Sequence, residues 1–269
     1  MTRTVVAAFQ QRLMEAIEGL ERARSGAWRD LWRAAFEVEH LVLSDVVDAA
    51  EADEILRGLE GAGKVAPCQA AFAKLEPMIE RGLAAQAVSG HRSLLEDRES
   101  LTANYLARYE ELARREVALV EMTAGDRVLF LGSGPLPISA IEYCRQTGCE
   151  ADCVDFVDDA IRVSREVIRA VGMEGRMRCH RARAEQFPVA GYSVVMIGVL
   201  AKPKAAIFEN VASGRSEGCR VLARTTYGLR GLIYAPLEAE FTTPERLRNA
   251  RASVARGDQV LSAIRGLEI

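Results

Sequence analysis

Apolar residues in the first part of the chain recur at three- and four-residue steps. Val6, Phe9, Leu13, Ile17 and Leu20 fall on one face of a helix at 3.6 residues per turn. Trp28, Leu31, Trp32, Ala35 and Phe36 repeat the pattern, and Gly61-Ala62-Gly63 interrupts it. Phe72, Leu75, Ile79 and Leu83 mark a further helix that ends near Gly90, and Leu101, Tyr105, Tyr109 and Leu112 mark another. Residues 1–122 are therefore predicted to form a helical bundle.

The texture changes at the turn cluster Thr123-Ala124-Gly125-Asp126. Short apolar runs then alternate with helical stretches. Val128 to Leu131, Ala151 to Val154, Met177 to His180, Val194 to Ile197 and Cys219 to Ala223 read as five strands, with a helix over Ala160 to Val171 among the connections. Leu232-Ile233-Tyr234 and Val260 to Ile264 read as added edge strands. Such alternation implies a mostly parallel sheet covered on both faces. The fold class predicted for residues 123–269 is α/β: a doubly wound, Rossmann-like domain of the class I methyltransferase kind.

Composition narrows the function classes. The 269 residues are 49% hydrophobic and 27% charged, which supports a packed core rather than disorder. A net charge of −3 argues against nucleic acid as a partner, because phosphate binding needs a basic face. No stretch approaches the roughly 20 apolar residues of a membrane span. Met1-Thr2-Arg3-Thr4-Val5 leads into no apolar leader, so a cytoplasmic protein is expected. Six cysteines form no C-x-x-C pair and only three histidines occur, so no metal site is expected; the cysteines read as small buried hydrophobes.

The chemistry concentrates after the first strand, at Gly132-Ser133-Gly134-Pro135-Leu136-Pro137. Glycines there let the backbone turn sharply and let a ligand approach it closely. The next helix offers free N–H groups and the positive end of its dipole. Asp155 ends the second strand 23 positions after Gly132, where a Rossmann unit supplies a carboxylate to ribose hydroxyls, and Phe156 follows it. Pro137 stands where the dinucleotide fingerprint has its third glycine. That disfavours NAD and its pyrophosphate; S-adenosylmethionine, which has none, tolerates the change.

Phe130-Leu131-Gly132-Ser133-Gly134-Pro135-Leu136-Pro137-Ile138-Ser139 closely resembles the signature of nicotianamine synthases. Further matches follow in order: Arg176-Met177 with His180, Ser193 to Met196 with Leu200, and Arg224 to Arg230 with Ile233-Tyr234. In the helical half, Leu75-Glu76, Leu83-Ala84 and the Tyr105, Tyr109, Leu112, Glu116 spacing resemble the same family. Tyr227 replaces the histidine of plant members, Ala235 separates Tyr234 from Pro236, and the chain is shorter. These features resemble the bacterial branch that serves opine metallophore biosynthesis of the staphylopine and pseudopaline type.

The resemblance implies a transferase that moves a 3-amino-3-carboxypropyl group, also called aminobutyrate, from S-adenosylmethionine to histidine and releases 5′-methylthioadenosine. It implies a downstream opine dehydrogenase as pathway partner and is compatible with a homodimer. Gly132, Ser133, Gly134, Pro135, Leu136, Asp155 and Phe156 would hold the donor. Glu76 would take the acceptor's proton, with Tyr105 and Tyr109 orienting the amine or the amino acid end of the donor. Arg224, Tyr227 and Arg230 would bind substrate, the arginines as forks for carboxylates. Each has a plainer structural alternative: a solvated Glu76, a packed tyrosine pair, surface ion pairs. His180 reads as a satisfied core histidine, and Arg176, Arg178, Arg181 and Arg183 as a solvated edge. A true nicotianamine synthase, a small-molecule methyltransferase and a non-catalytic nucleotide-binding protein remain competing readings.

Overall fold

A computed structural model describes residues 3–23, 28–44, 46–89, 101–237, 252–253 and 263–267. The chain divides into two compact units. One holds the residues up to Glu76 with those from Thr225 to 237; the other runs from Pro77 to Arg224 and includes the strand at Ala252–Ser253.

In the first unit the helices are α1 (Arg3–Ala23), α2 (Trp28–Val42), α3 (Ala49–Gly61) and the start of α4 (Val65–Val88). Phe9, Leu13, Ile17 and Leu20 of α1 are buried, as their spacing predicts, while Val6 is half-buried. On α2 the buried stripe is Leu31, Ala35, Val38 and Val42, and Phe36 is exposed, contrary to expectation. The 3.6-residue period explains it: Phe36 sits about 100° around the helix from Ala35. Asp48 caps α3 with a reciprocal pair, its carboxylate accepting from the Glu51 amide while Glu51 accepts from its own. α3 ends at the predicted Gly61 break. The end of α4 near Gly90 lies outside the described residues.

A second expectation fails in this unit. Leu232-Ile233-Tyr234 is no edge strand; Gly228–Leu232 forms a 3-10 helix that packs on α3. A short apolar run is equally consistent with a strand and with a buried helical turn, and packing decides. Gly231 packs closely on α3, where a Cβ would stand 2.9 Å from Leu56 Cδ2, and Gln69 Nε2 donates to its carbonyl at 2.7 Å.

The second unit has the predicted α/β plan. After α5 (Leu101–Leu119) come β1 (Arg127–Leu131), α6 (Ile138–Thr147), β2 (Glu150–Asp155), α7 (Asp158–Ala170), β3 (Met177–Arg181), β4 (Val194–Ile197), α8 (Lys204–Gly214) and β5 (Arg220–Thr225). With β6 (Ala252–Ser253) and β7 (Ala263–Leu267) they make a sheet of order β3-β2-β1-β4-β5-β7-β6. The pairs among β1 to β5 are parallel, and β6 runs antiparallel to β7. The tail strand expected from Val260 to Ile264 appears as Ala263–Leu267, but between β5 and β6 rather than at the edge; residues 260–262 lie outside the described part. Val128 to Leu131 and Val194 to Ile197 are buried without alternation, as strands covered on both faces should be. The order reverses between β1 and β4, and ligands of such sheets bind outside the carboxyl ends of the strands at that point.

β3 is the edge strand, and Arg176, Arg178, Arg181 and Arg183 are exposed along it, the solvated edge expected. His180 is satisfied: its Nε2 lies 2.9 Å from Oδ1 of buried Asp152, whose Oδ2 accepts from Tyr192 at 2.8 Å and Arg127 at 2.7 Å. Burial opposes ionisation of Asp152, but these partners outweigh it and hold the carboxyl below its ordinary range. All six cysteines are buried thiols.

Asp152→Asn should lower stability at neutral pH by about 1–3 kcal/mol, since it mismatches buried hydrogen-bond donors. A carboxyl with a depressed folded-state pKa contributes stability above the ordinary Asp value, which is lost as pH falls through the folded value. The gap between wild type and variant should therefore narrow below about pH 4. Urea titrations at neutral pH and in acid measure both; a constant gap would contradict the assignment.

Candidate donor and acceptor site

The chain leaves β1 through a turn that only glycine takes without strain. Gly132 has φ 80°, and a Cβ there would stand 2.7 Å from Cβ of Ala201. Gly134 has φ 66°. The loop is held from both sides. The amides of Gly132 and Ser133 donate to the Val154 carbonyl at 2.9 and 3.1 Å. The Gly134 amide donates to Asp155 Oδ2 at 3.0 Å, and Ser164 Oγ donates to the Gly134 carbonyl at 2.8 Å.

Asp155 therefore does more than the sequence suggested. Its Oδ2 fixes the loop and its Oδ1 accepts from the Val157 amide at 2.9 Å, so each oxygen keeps one lone pair for a further donor. Phe156, next along, is 62% exposed, an aromatic face turned to solvent. Pro135 and Leu136 are buried. Ser133 is buried too, and its Oγ has no hydrogen-bond partner among the described residues. An orphaned hydroxyl beside a glycine loop fits a site that a polar ligand completes. α6 starts at Ile138 with no side-chain cap, as an anion-accepting helix end requires.

Sequence reasoning missed one residue at this loop. The Glu80 carboxylate on α4 occupies the space beside Gly134, with Oε2 2.5 Å from where a Cβ would stand. Its only sequence signal is its place one helical turn after Glu76.

The structure gives Arg224 a partner within the protein. Its Nε and Nη2 form a fork on Glu116, at 2.7 and 2.9 Å, and Nη2 also donates to Ser139 Oγ at 2.6 Å. The fork expected to hold a substrate carboxylate is thus occupied by Glu116, which the motif match contained but to which no chemistry was assigned. Both residues are buried, and the Tyr143 hydroxyl donates to the same carboxylate. Burial alone would lower the Arg224 pKa; the charge of Glu116 reverses that and holds it above its ordinary value. Burial and the same carboxylate push the Tyr143 phenol well up. The guanidinium lies 5.7 Å from the centre of the Tyr109 ring. The Tyr105 hydroxyl donates to that of Tyr109 at 3.4 Å, so both expected tyrosines join this network.

In the other unit, Glu76 is buried and accepts a hydrogen bond from the Tyr234 hydroxyl. It is not the solvated helix residue that its type suggests. Thr226 Oγ1 donates to the Tyr234 carbonyl at 2.8 Å, which ties Tyr234 to the end of β5. Arg230 stacks over the Tyr227 ring at 4.9 Å, both half-buried. No group of three or more metal-ligating side chains occurs among the described residues, and no described helix is long and apolar enough to cross a membrane.

The family description "Nicotianamine synthase protein" matches residues 72–248, a stretch containing the glycine loop, Glu76, both tyrosines and the Arg224–Arg230 segment. The chain belongs to the nicotianamine synthase family. Among curated relatives, an L-histidine 2-aminobutanoyltransferase of Pseudomonas aeruginosa is 30% identical over 158 residues, 58% of each chain. Nicotianamine synthase 3 of Oryza sativa subsp. indica is 29% identical over 150 residues, 51% of this chain and 44% of that one. The chain spans about half the length of the curated relatives it matches. A crystal structure of a Glu-to-Gln mutant of MtNAS in complex with S-adenosylmethionine superposes with a TM-score of 0.79 at 22% identity, covering 94% of this chain and 96% of that one. At that identity the likeness shows the fold.

Gly134→Val places a branched side chain at positive φ, a strain of about 1–3 kcal/mol, and drives it into the Glu80 carboxylate. S-adenosylmethionine affinity should fall at least about tenfold, since backbone must approach the ligand there. Calorimetry with the folded variant checks this, and unchanged affinity would remove the loop from the donor site.

Proposed function

We propose that this member of the nicotianamine synthase family transfers one 3-amino-3-carboxypropyl group from S-adenosylmethionine to the α-amine of histidine. The observation that carries the reading is the glycine loop at the end of β1, with its orphaned Ser133 hydroxyl and with Asp155 and Phe156 beside it. Asp155 binds the ribose hydroxyls through its remaining lone pairs, and Phe156 lies along the adenine face. Gly132, Ser133, Gly134, Pro135 and Leu136 line the donor.

A sulfonium has three electrophilic carbons, and this reaction uses the methionine Cγ. The acceptor nitrogen attacks in line with the Cγ–S bond. The new C–N bond forms, the Cγ–S pair goes to sulfur, and neutral 5′-methylthioadenosine leaves. Positioning supplies much of the rate. The α-amine is protonated at neutral pH, so a base must take its proton. Glu76 is that base, and the Tyr234 hydroxyl fixes the orientation of its Oε1. Tyr105 and Tyr109 orient the amine or the amino acid end of the donor, and Arg224, clamped by Glu116, sets the Tyr109 ring. Tyr227 and Arg230 hold the acceptor carboxylate. The product carries the primary amine of the transferred group, which a following opine dehydrogenase can condense with a 2-oxo acid and reduce. The histidine acceptor rests on the resemblance to the Pseudomonas aeruginosa relative.

The rice relative supports a second reading, a nicotianamine synthase that joins several aminobutyrate units without histidine. Mass spectrometry after incubation with S-adenosylmethionine and a panel of amino acids separates them. We expect 5′-methylthioadenosine and histidine carrying one added unit; multi-unit products formed without histidine would establish the second reading.

Glu76→Gln keeps the shape and removes the base, so kcat should fall at least about 10²-fold, the lower end for general-base catalysis. Raising the pH supplies free amine and should restore part of the rate. Near-normal turnover at neutral pH would remove Glu76 from the mechanism.

A further inference from the structure

Lys204 opens α8 and is 1% exposed, whereas Lys202, two residues earlier, reaches solvent as lysines ordinarily do. Both features of its position count against a lysine. Burial strips an ammonium of water, and the first turn of a helix is the positive end of its dipole. The side chain turns back on the connection from β4, where Nζ donates to the Val199 carbonyl. That connection is the second wall of the crevice at which the strand order reverses. Its Gly198 amide donates to the Leu131 carbonyl at 2.9 Å, and its Ala201 amide to the Gly198 carbonyl at 3.2 Å. Ala201 Cβ stands 2.7 Å from where a Cβ on Gly132 would be. Val199 and Leu200 are half-buried. Further along α8, about 9 Å at the helical rise, Asn210 holds the same helix by a different contact. Its Nδ2 donates to the carbonyls of Ala184 and Phe187 at 3.1 and 2.8 Å.

We propose that Lys204 is a positioning residue for the donor, an inference that rests on the donor site proposed above. It acts through the loop and not on the reacting atoms. By tying Val199 to the start of α8, it fixes the segment from Val199 to Pro203 and holds Ala201 against the Gly132 turn. The crevice then has two set walls before a ligand arrives, and binding need not order either of them. An apolar side chain of similar length would fill the same space without the desolvation cost, so packing alone gives no reason for a lysine there. What the lysine adds is a donor for the loop carbonyl. Asn210 makes the useful comparison, since it anchors the same helix away from the crevice.

Calorimetry with S-adenosylmethionine and thermal unfolding, both on the full chain, test this with two variants. Lys204→Met keeps the length of the side chain and removes the donor. Its affinity for S-adenosylmethionine should fall about tenfold, while its midpoint stays within about 4 °C of wild type. Asn210→Ala releases two carbonyls away from the loop. Its midpoint should fall by at least about 2 °C, and its affinity should stay within about twofold of wild type. Binding is measured well below both midpoints, where a merely structural anchor leaves the affinity of the folded protein unchanged. Should Lys204→Met fail to fold, Ala201→Gly probes the same wall: it leaves Lys204 in place and removes the side chain that stands on Gly132. Donor affinity should then fall about three- to tenfold. Unchanged affinity in folded Lys204→Met, or in Ala201→Gly where that variant replaces it, would overturn the proposal while the donor site stands. Equal losses of affinity in Lys204→Met and Asn210→Ala would overturn it too. A wild-type protein that does not bind S-adenosylmethionine would overturn the donor site itself, and this proposal with it.

Discussion

The turn at Gly132 has room for backbone and nothing else. Ala201, in the connection after β4, fills the space a side chain would need, and the positive φ of Gly132 excludes ordinary residues independently. From that turn follow the positions of Ser133 and Gly134, the start of α6, and the contact with Asp155. Gly198, after β4, approaches equally closely: a Cβ there would stand 2.8 Å from the Gly132 carbonyl oxygen. The carboxyl ends of β1 and β4 are therefore packed main chain to main chain where the strand order reverses. A ligand bound there meets a preformed surface, so little ordering has to accompany binding.

A buried ion pair secures the same unit further along the sheet. Glu116 on α5 and Arg224 on β5 are far apart in sequence, yet their two-point contact is sealed from solvent with Ser139 and Tyr143 around it. Desolvating such a pair is costly, and the hydrogen bonds from Arg224 and Tyr143 to the two carboxylate oxygens offset much of that cost. Its consequence is geometric. It joins the tyrosine helix to the first turn of α6 and so relates Tyr109 to the glycine loop's own helix. That is a reason to keep a charge pair where apolar residues would pack.

Much of this was legible in the order of residues. The five strands, the glycine loop and the acid after β2 are local patterns: uninterrupted apolar runs, glycines at a strand end, a carboxylate at fixed distance. The signature from Gly132 to Pro137 carries the reading further, to the family whose description matches residues 72–248. The failures were also physical. Phe36 is large and apolar, which points to a buried face, but helix phase leaves it outside. Leu232 to Tyr234 suit a strand or a helical turn equally, because a three-residue apolar run carries no period of its own, and the chain there forms a 3-10 helix over Gly228–Leu232.

The chain itself determined which backbone turns were possible and which faces would be apolar, since glycine at positive φ and helical periodicity are properties of neighbouring residues. Only tertiary structure decided the partners of charged side chains. Nothing near Arg224 in sequence announces Glu116, nothing near Glu76 announces Tyr234, and nothing near Gly134 announces Glu80. Charge pairing depends on distances of a few ångströms between segments tens of residues apart, and those distances exist only once the sheet and its helices have packed.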